Sequence, residues 1–240
     1  MALPSASAGS SRVRYEKPPG TSTAGLLYFR QPSMIPLDTL ALFFASSVAL
    51  ALAPGPDNIF VLTQSALHGR WSGFLVTLGL CTGLLVHTAA VSLGVAAIFQ
   101  TSALAFNVLK AVGAAYLLYL AWRSFRAGAA EFGEQGKARL SRRQLYTRGI
   151  LMNVTNPKVA IFFLAFLPQF ANPSRGSLAL QMIILGAVFM LAALIVFGVI
   201  AWAAGLIGER LKRSRRAQVA MNRFAGTVFV GLALRLALSK

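Results

Sequence analysis

The sequence predicts an all-α integral membrane protein of six transmembrane helices, built as two inverted three-helix halves in which helices 1 and 4 are broken at proline. Three observations predict it. Of 240 residues, 56% are apolar and only 12% charged, a balance foreign to soluble globules. The apolar residues gather into six runs near the roughly 20 residues needed to cross a hydrocarbon core of about 30 Å. The longest hydrophilic connection, Arg123 to Arg148, divides those runs three and three. Because three is odd, the halves run in opposite senses, as in transporters made of inverted repeats.

The segments before and between the runs fix the domain scheme. Residues 1–33 are rich in Ser, Ala, Gly and Pro, carry Arg12, Arg14, Lys17, Arg30 and Glu16, and contain no apolar stretch longer than Leu26 to Phe29. Such a composition buries no core and reads as a disordered tail, and it lacks the apolar region of a secretory signal. Met34 stands directly before the first run, so natural translation is expected to start there. Residues 34–122 form the first three-helix half, 123–148 a basic loop and 149–240 the second half.

The runs follow in order. The first spans Leu37 to Ala53, meets Pro54-Gly55-Pro56-Asp57-Asn58 and resumes at Ile59 to Leu62. The second, Phe74 to Phe99, has only His87 as an ionisable group. The third, Ala103 to Trp122, carries Lys110. The fourth, Gly149 to Phe170, is interrupted at Asn156-Pro157-Lys158; the fifth, Leu178 to Gly205, is uncharged. In the sixth, Val219 to Leu238, Arg223 and Arg235 lie near the ends, where long side chains snorkel to headgroups.

A net charge of +17 would suggest a nucleic-acid partner in a soluble protein. Here the position of the charges gives another reading. Thirteen of the 23 basic residues (Arg70, seven between runs three and four, five between runs five and six) fall on one face if six helices alternate. The positive-inside rule places that face in the cytoplasm and both termini outside. Nucleic acid is therefore not expected as a partner; the bilayer is. Starting at Met34 leaves 19 basic and 5 acidic residues. The lone Cys81 excludes an intrachain disulfide and a multi-cysteine zinc site, and neither a metal nor another cofactor is expected.

The first helix of each half is broken at proline, which removes a helical donor and leaves carbonyls that hydrocarbon cannot satisfy. Paired breaks in corresponding helices point to a substrate site near the mid-plane, although the first break lies a full span length into its run and the second about half that. The candidate substrate or proton site is Pro54, Gly55, Pro56, Asp57 and Asn58 with Asn153, Asn156, Pro157 and Lys158. A carboxylate at depth is costly and persists where it pairs, binds a cation or carries a proton. Asp57 is thus expected to meet a substrate ammonium or a proton, and Lys158 a substrate carboxylate or Asp57 itself. The plainer reading is that Asp57 ends a helix at an interface and Asn58 caps the next turn. His87 and Lys110 are pathway candidates, although His87 reads first as a neutral imidazole bonded to a neighbouring helix, and Lys110 equally as a snorkelling side chain. Gly79 and Gly83 form a GxxxG that permits close internal packing or a homodimer.

Pro54-Gly55-Pro56-Asp57-Asn58, the stretch from Gly113 to Trp122, Asn156-Pro157-Lys158 and the stretch from Phe166 to Phe170 together resemble the LysE/RhtB family of amino-acid exporters. The likeness covers Met34 to Lys240. It implies a bacterial inner-membrane exporter of amino acids or close derivatives driven by the proton-motive force, with the motif positions at Pro54 to Asn58 and Asn156 to Lys158. The 33-residue tail departs from the family pattern.

The expected activity is export by proton antiport, with protons and an amino acid competing at Asp57. A neutral substrate is favoured because no second intramembrane acid serves a dibasic one. The alternatives are export of an inorganic cation and an intramembrane enzyme. The first lacks a cluster of acids, Cys or His along the spans, and the second lacks a recognisable constellation among His68, His87 and Cys81.

Overall fold

The computed structural model describes residues 34–53, 55–101, 103–126, 139–213 and 215–238. The tail of residues 1–33, Pro54, residues 127–138 with Lys137, and Lys240 lie outside the described residues. All regular structure among the described residues is helical: α1 (Leu37–Leu52), α2 (Pro56–His68), α3 (Arg70–Thr101), α4 (Ala103–Arg126), α5 (Arg142–Val154), α6 (Pro157–Ile161), α7 (Leu178–Arg213) and α8 (Arg215–Leu238). Helices α3 and α7 contain stretches long and apolar enough to cross a membrane, Arg70–Gly94 and Leu178–Ala204. Two bent pairs have the same capacity if each is one span: α1 with α2, whose axes turn by 65°, and α5 with its continuation to Phe170, which turns by 49°.

The bends fall where the sequence denies the helix its hydrogen bonds. Pro56 and Pro157 each occupy the first turn of the helix that follows a break, where a missing N–H costs nothing and the fixed φ suits the new start. The fourth expected run begins earlier than its apolar residues do. Ser141 and Gln144 form a reciprocal capping box, with Ser141 N donating to Gln144 Oε1 at 2.8 Å and Gln144 N to Ser141 Oγ at 3.3 Å, so α5 starts at Arg142 inside the basic segment. Basic side chains on a first turn outside the apolar layer do not prevent helix. The two breaks consequently follow helices of similar length, 16 residues in α1 and 13 in α5.

Packing follows from small residues. Helix α3 lies along α5 and α7, α7 along α1 and α2, and α4 along α8; α4 also touches Phe162–Phe166, and α8 touches α1. At the α3–α5 crossing, a Cβ on Gly79 would collide with the Tyr146 carbonyl and Cα of Gly149, and one on Gly83 would sit 2.7 Å from Asn153 Cβ. The GxxxG is thus filled by α5 of the same chain. Gly69, with φ 87°, turns the chain from α2 into α3 through a conformation that side chains other than glycine disfavour.

Beyond α6 the helix widens into a π turn, Phe162–Phe166, and then tightens into a 3₁₀ turn, Leu167–Phe170. Phe162, Phe163 and Phe166 are all buried by it. Phe162 and Phe166 stand 4.8 Å apart between ring centroids, and Phe166 and Phe170 5.0 Å. Phe43 of α1 closes on Phe170 at 4.9 Å and Phe162 at 6.0 Å, and Phe189 of α7 on Phe162 at 5.3 Å.

Candidate functional site

The breaks meet, and each is completed by residues from elsewhere. The last turn of a helix leaves carbonyls without donors. At the end of α1, Lys158 Nζ donates to the carbonyls of Ala53 at 3.1 Å and Leu50 at 3.4 Å, and Asn58 Nδ2 donates to that of Ala51 at 2.7 Å. A cation also complements the negative end of the helix dipole. At the end of α5, the Asn153 carbonyl accepts from Asn156 N at 3.0 Å and from His87 Nε2 of α3 at 3.1 Å. His87, buried 5.6 Å from the Phe163 ring, therefore bonds to a neighbouring helix, as one of its two readings expected.

Asn156 joins the breaks directly. Its Oδ1 accepts Lys158 N at 3.0 Å and caps α6, while its Nδ2 donates to Asp57 Oδ2 at 2.7 Å. Asp57 is 1% exposed and Lys158 8%. The carboxylate thus faces an amide, and the ammonium faces backbone. A direct contact between Asp57 and Lys158, the simplest pairing of two opposite charges, is replaced by this bridged arrangement. Asp57 Oδ1, Asn58 Oδ1 and Asn153 Oδ1 are buried and accept no hydrogen bond. All three are acceptors, so the unmet need at the breaks is for donors.

A cavity of about 290 Å³ opens beside the breaks, near the lower end of the roughly 300–1,000 Å³ usual for small-molecule pockets. Gly55, Pro56, Asn156, Pro157 and Lys158 line it from the breaks, Tyr116, Leu120, Arg123 and Ser124 from α4, and Asn222 and Phe229 from α8. Gly55 permits the approach of the lysine, since a Cβ there would lie 3.2 Å from Lys158 Nζ. Lys110 is half-buried on α4 and is not among the lining residues. Pro54 lies outside the described residues.

Tyr116, Ser124 and Asn222 were not singled out in the sequence. Asn222, followed directly by Arg223 near the start of the sixth run, gave no signal, and only the structure shows it buried. Tyr116 falls within the Gly113 to Trp122 motif, where an aromatic residue in an apolar run does not announce a cavity.

Comparison with known proteins gives concordant matches. A family model described as LysE type translocator matches residues 48–240. A homoserine/homoserine lactone efflux protein of Salmonella typhimurium is 35% identical over 189 residues, covering 78% of this chain and 90% of the relative. An uncharacterized membrane protein of Vibrio cholerae is 33% identical over 199 residues, covering 82% and 96%. A leucine efflux protein of Enterobacter sp. is 29% identical over 198 residues, covering 78% and 90%. No solved structure matches.

Proposed function

This chain belongs to the LysE type translocator family, and from that premise we propose that it exports amino acids or close derivatives across the bacterial inner membrane, by proton antiport through the meeting point of its two broken helices. The family is one of translocators rather than enzymes. The observation that carries the reading is Asp57, a buried carboxylate held through one oxygen by Asn156 while the other oxygen has no donor. A substrate ammonium or a proton supplies that donor, and competition between the two at one oxygen gives exchange.

Lys158 links substrate to movement. Its ammonium holds the carbonyl end of α1, so a substrate carboxylate that draws it away leaves those carbonyls open and loosens α1 from α6. Differential contact of this kind is what shifts a protein between two conformations. The amino-acid names of the Salmonella and Enterobacter relatives favour an organic ammonium over an inorganic cation at Asp57, and the lack of a second buried acid beside it among the described residues favours a neutral amino acid.

The fold reading has its own support. Exchange of the halves (α1 and α2 for α5 and its continuation, α3 for α7, α4 for α8) pairs the packing of α3 on α5 with that of α7 on α1 and α2, and returns the α3–α7 and α4–α8 contacts to themselves. We take α4 and α8 as the third and sixth spans, with Arg70, Arg123, Arg126, Arg142 and Arg143 toward the cytoplasm and both termini outside. The 290 Å³ cavity, with Arg123 among its lining residues, then faces inward.

The test is efflux from cells loaded with dipeptides, measured over a panel containing leucine, threonine, homoserine, lysine and arginine. Accelerated efflux of at least one neutral member, lost in Asp57→Asn, is expected. An Asp57→Asn protein that retains full proton-dependent efflux overturns the mechanism, and a wild type that moves no member overturns the function.

A further inference from the structure

A second cavity, of about 440 Å³, lies at the other end of the bundle, where four segments converge: Met34 to Thr39, the turns from Pro168 to Arg175, Gln181 of α7 and Arg235 of α8. Its lining contains two arginines and no acid. Asp38, next to Thr39, is exposed and spends Oδ1 on the Thr39 amide at 2.8 Å.

The Arg235 guanidinium lies 4.2 Å over the Phe170 ring. Its Nη1 is buried and donates to nothing. A guanidinium held flat on an aromatic face presents its edge as a rigid fork, and a buried donor without an acceptor is costly. The wall opposite is fixed: fully buried Gln181 accepts Asn172 N at 2.9 Å and donates to Asn172 O at 2.9 Å.

Phe170 is also the outer end of the aromatic column that runs through Phe166 to Phe162, four residues beyond Lys158. The column thus runs from the segment after Lys158 to the ring on which Arg235 lies.

We propose that the outer cavity is a second, exit-side binding site in which Arg235 takes the carboxylate of the departing amino acid. This rests on the exporter reading above. A zwitterion released from Asp57 and Lys158 on the outward stroke next meets the Arg235 guanidinium, whose Nη1 lacks an acceptor and which draws the carboxylate toward the outer cavity. The chemistry recognised is an oxyanion with two acceptor oxygens, for which a lipid phosphate is the other source; the convergence of four protein segments on the cavity favours the soluble carboxylate.

The experiment uses two probe pairs that differ in the carboxylate, homoserine with its lactone and leucine with leucinamide, and full-length protein in phosphatidylcholine vesicles. Arg235→Gln is expected to lower homoserine and leucine transport by about tenfold, the worth of a charge-assisted hydrogen bond, while lactone and amide transport, already slow in the wild type for want of a carboxylate at Lys158, changes by less than about twofold. Arg235→Lys, which keeps the charge, is expected to recover part of the loss. Equal losses for both members of a pair, or none, overturn the proposal. So does a defect that appears only when phosphatidylglycerol is added, which assigns Arg235 to lipid. A wild type that moves none of the four probes overturns the exporter reading and this proposal with it.

Discussion

Asn156 donates to the Asp57 carboxylate at 2.7 Å across 99 residues of sequence, and the same side chain caps the helix that begins at Pro157. One amide thus ties the acid of the first break to the geometry of the second. Its two ends are separable by mutation, because aspartate preserves the acceptor that caps and removes the donor that meets Asp57.

Asn156→Ala is expected to cost about 1 kcal/mol for the lost cap and a further roughly 1.5–3 kcal/mol for the lost bond to a charged acceptor. Thermal unfolding in detergent checks the stability, and efflux should fall with it. Asn156→Asp should unfold nearer to wild type yet export at least tenfold less, since a second acid now faces Asp57. Equal stability and efflux in the two variants would show the bridge to be irrelevant to transport.

Lys158→Met removes the donor for the Leu50 and Ala53 carbonyls while keeping most of the volume. With about 1–3 kcal/mol for the Ala53 carbonyl left unsatisfied, the Leu50 carbonyl keeping Ala53 N at 3.2 Å, a drop in unfolding temperature and loss of efflux are expected together. Gly55→Ala probes the same contact more gently. Its added methyl at 3.2 Å from Nζ should shift the lysine and lower efflux several-fold, with little change in unfolding temperature.

The α3–α5 crossing makes a prediction about glycines. Gly79→Ala and Gly149→Ala each place a methyl into the backbone of the facing helix, and overpacking of this kind costs about 1–3 kcal/mol. Gly198→Ala, where nothing lies within 4 Å, should unfold like wild type. Yields and unfolding temperatures of the three variants separate helix packing from a general intolerance of larger side chains.

Orientation is testable by thiol labelling because Cys81 is buried and gives little background. A membrane-impermeant maleimide on intact cells should label Ser174→Cys, in the exposed turn at Asn172, and should label the exposed position of Arg139→Cys only after permeabilisation. The opposite pattern inverts the assignment of faces.

Apolar run length and proline placement made most of the helical order legible in the sequence, because both act within a few residues. Asp57 and Lys158 were legible for the same reason, as charges in stretches that otherwise exclude them. What escaped depended on distance in the chain. The start of α5 hid in a basic segment, since a capping box is a pattern of two side chains rather than of hydropathy. The partner of Asp57 was expected to be the opposite charge, and only the fold could show Asn156 taking that place while Lys158 turned to backbone. The aromatic column was invisible because phenylalanines in a membrane helix look alike until a π turn gathers three of them on one side.

The hydrogen bonds of Lys158 to Leu50 and Ala53 also bear on biogenesis. Ribosomes complete α1 more than a hundred residues before the donor for its last turn has been synthesised. Until α6 emerges, the Ala53 carbonyl lacks the side-chain donor it has in the finished fold. Insertion of this chain is therefore expected to finish in one late step, and two halves made as separate polypeptides should accumulate only when produced together.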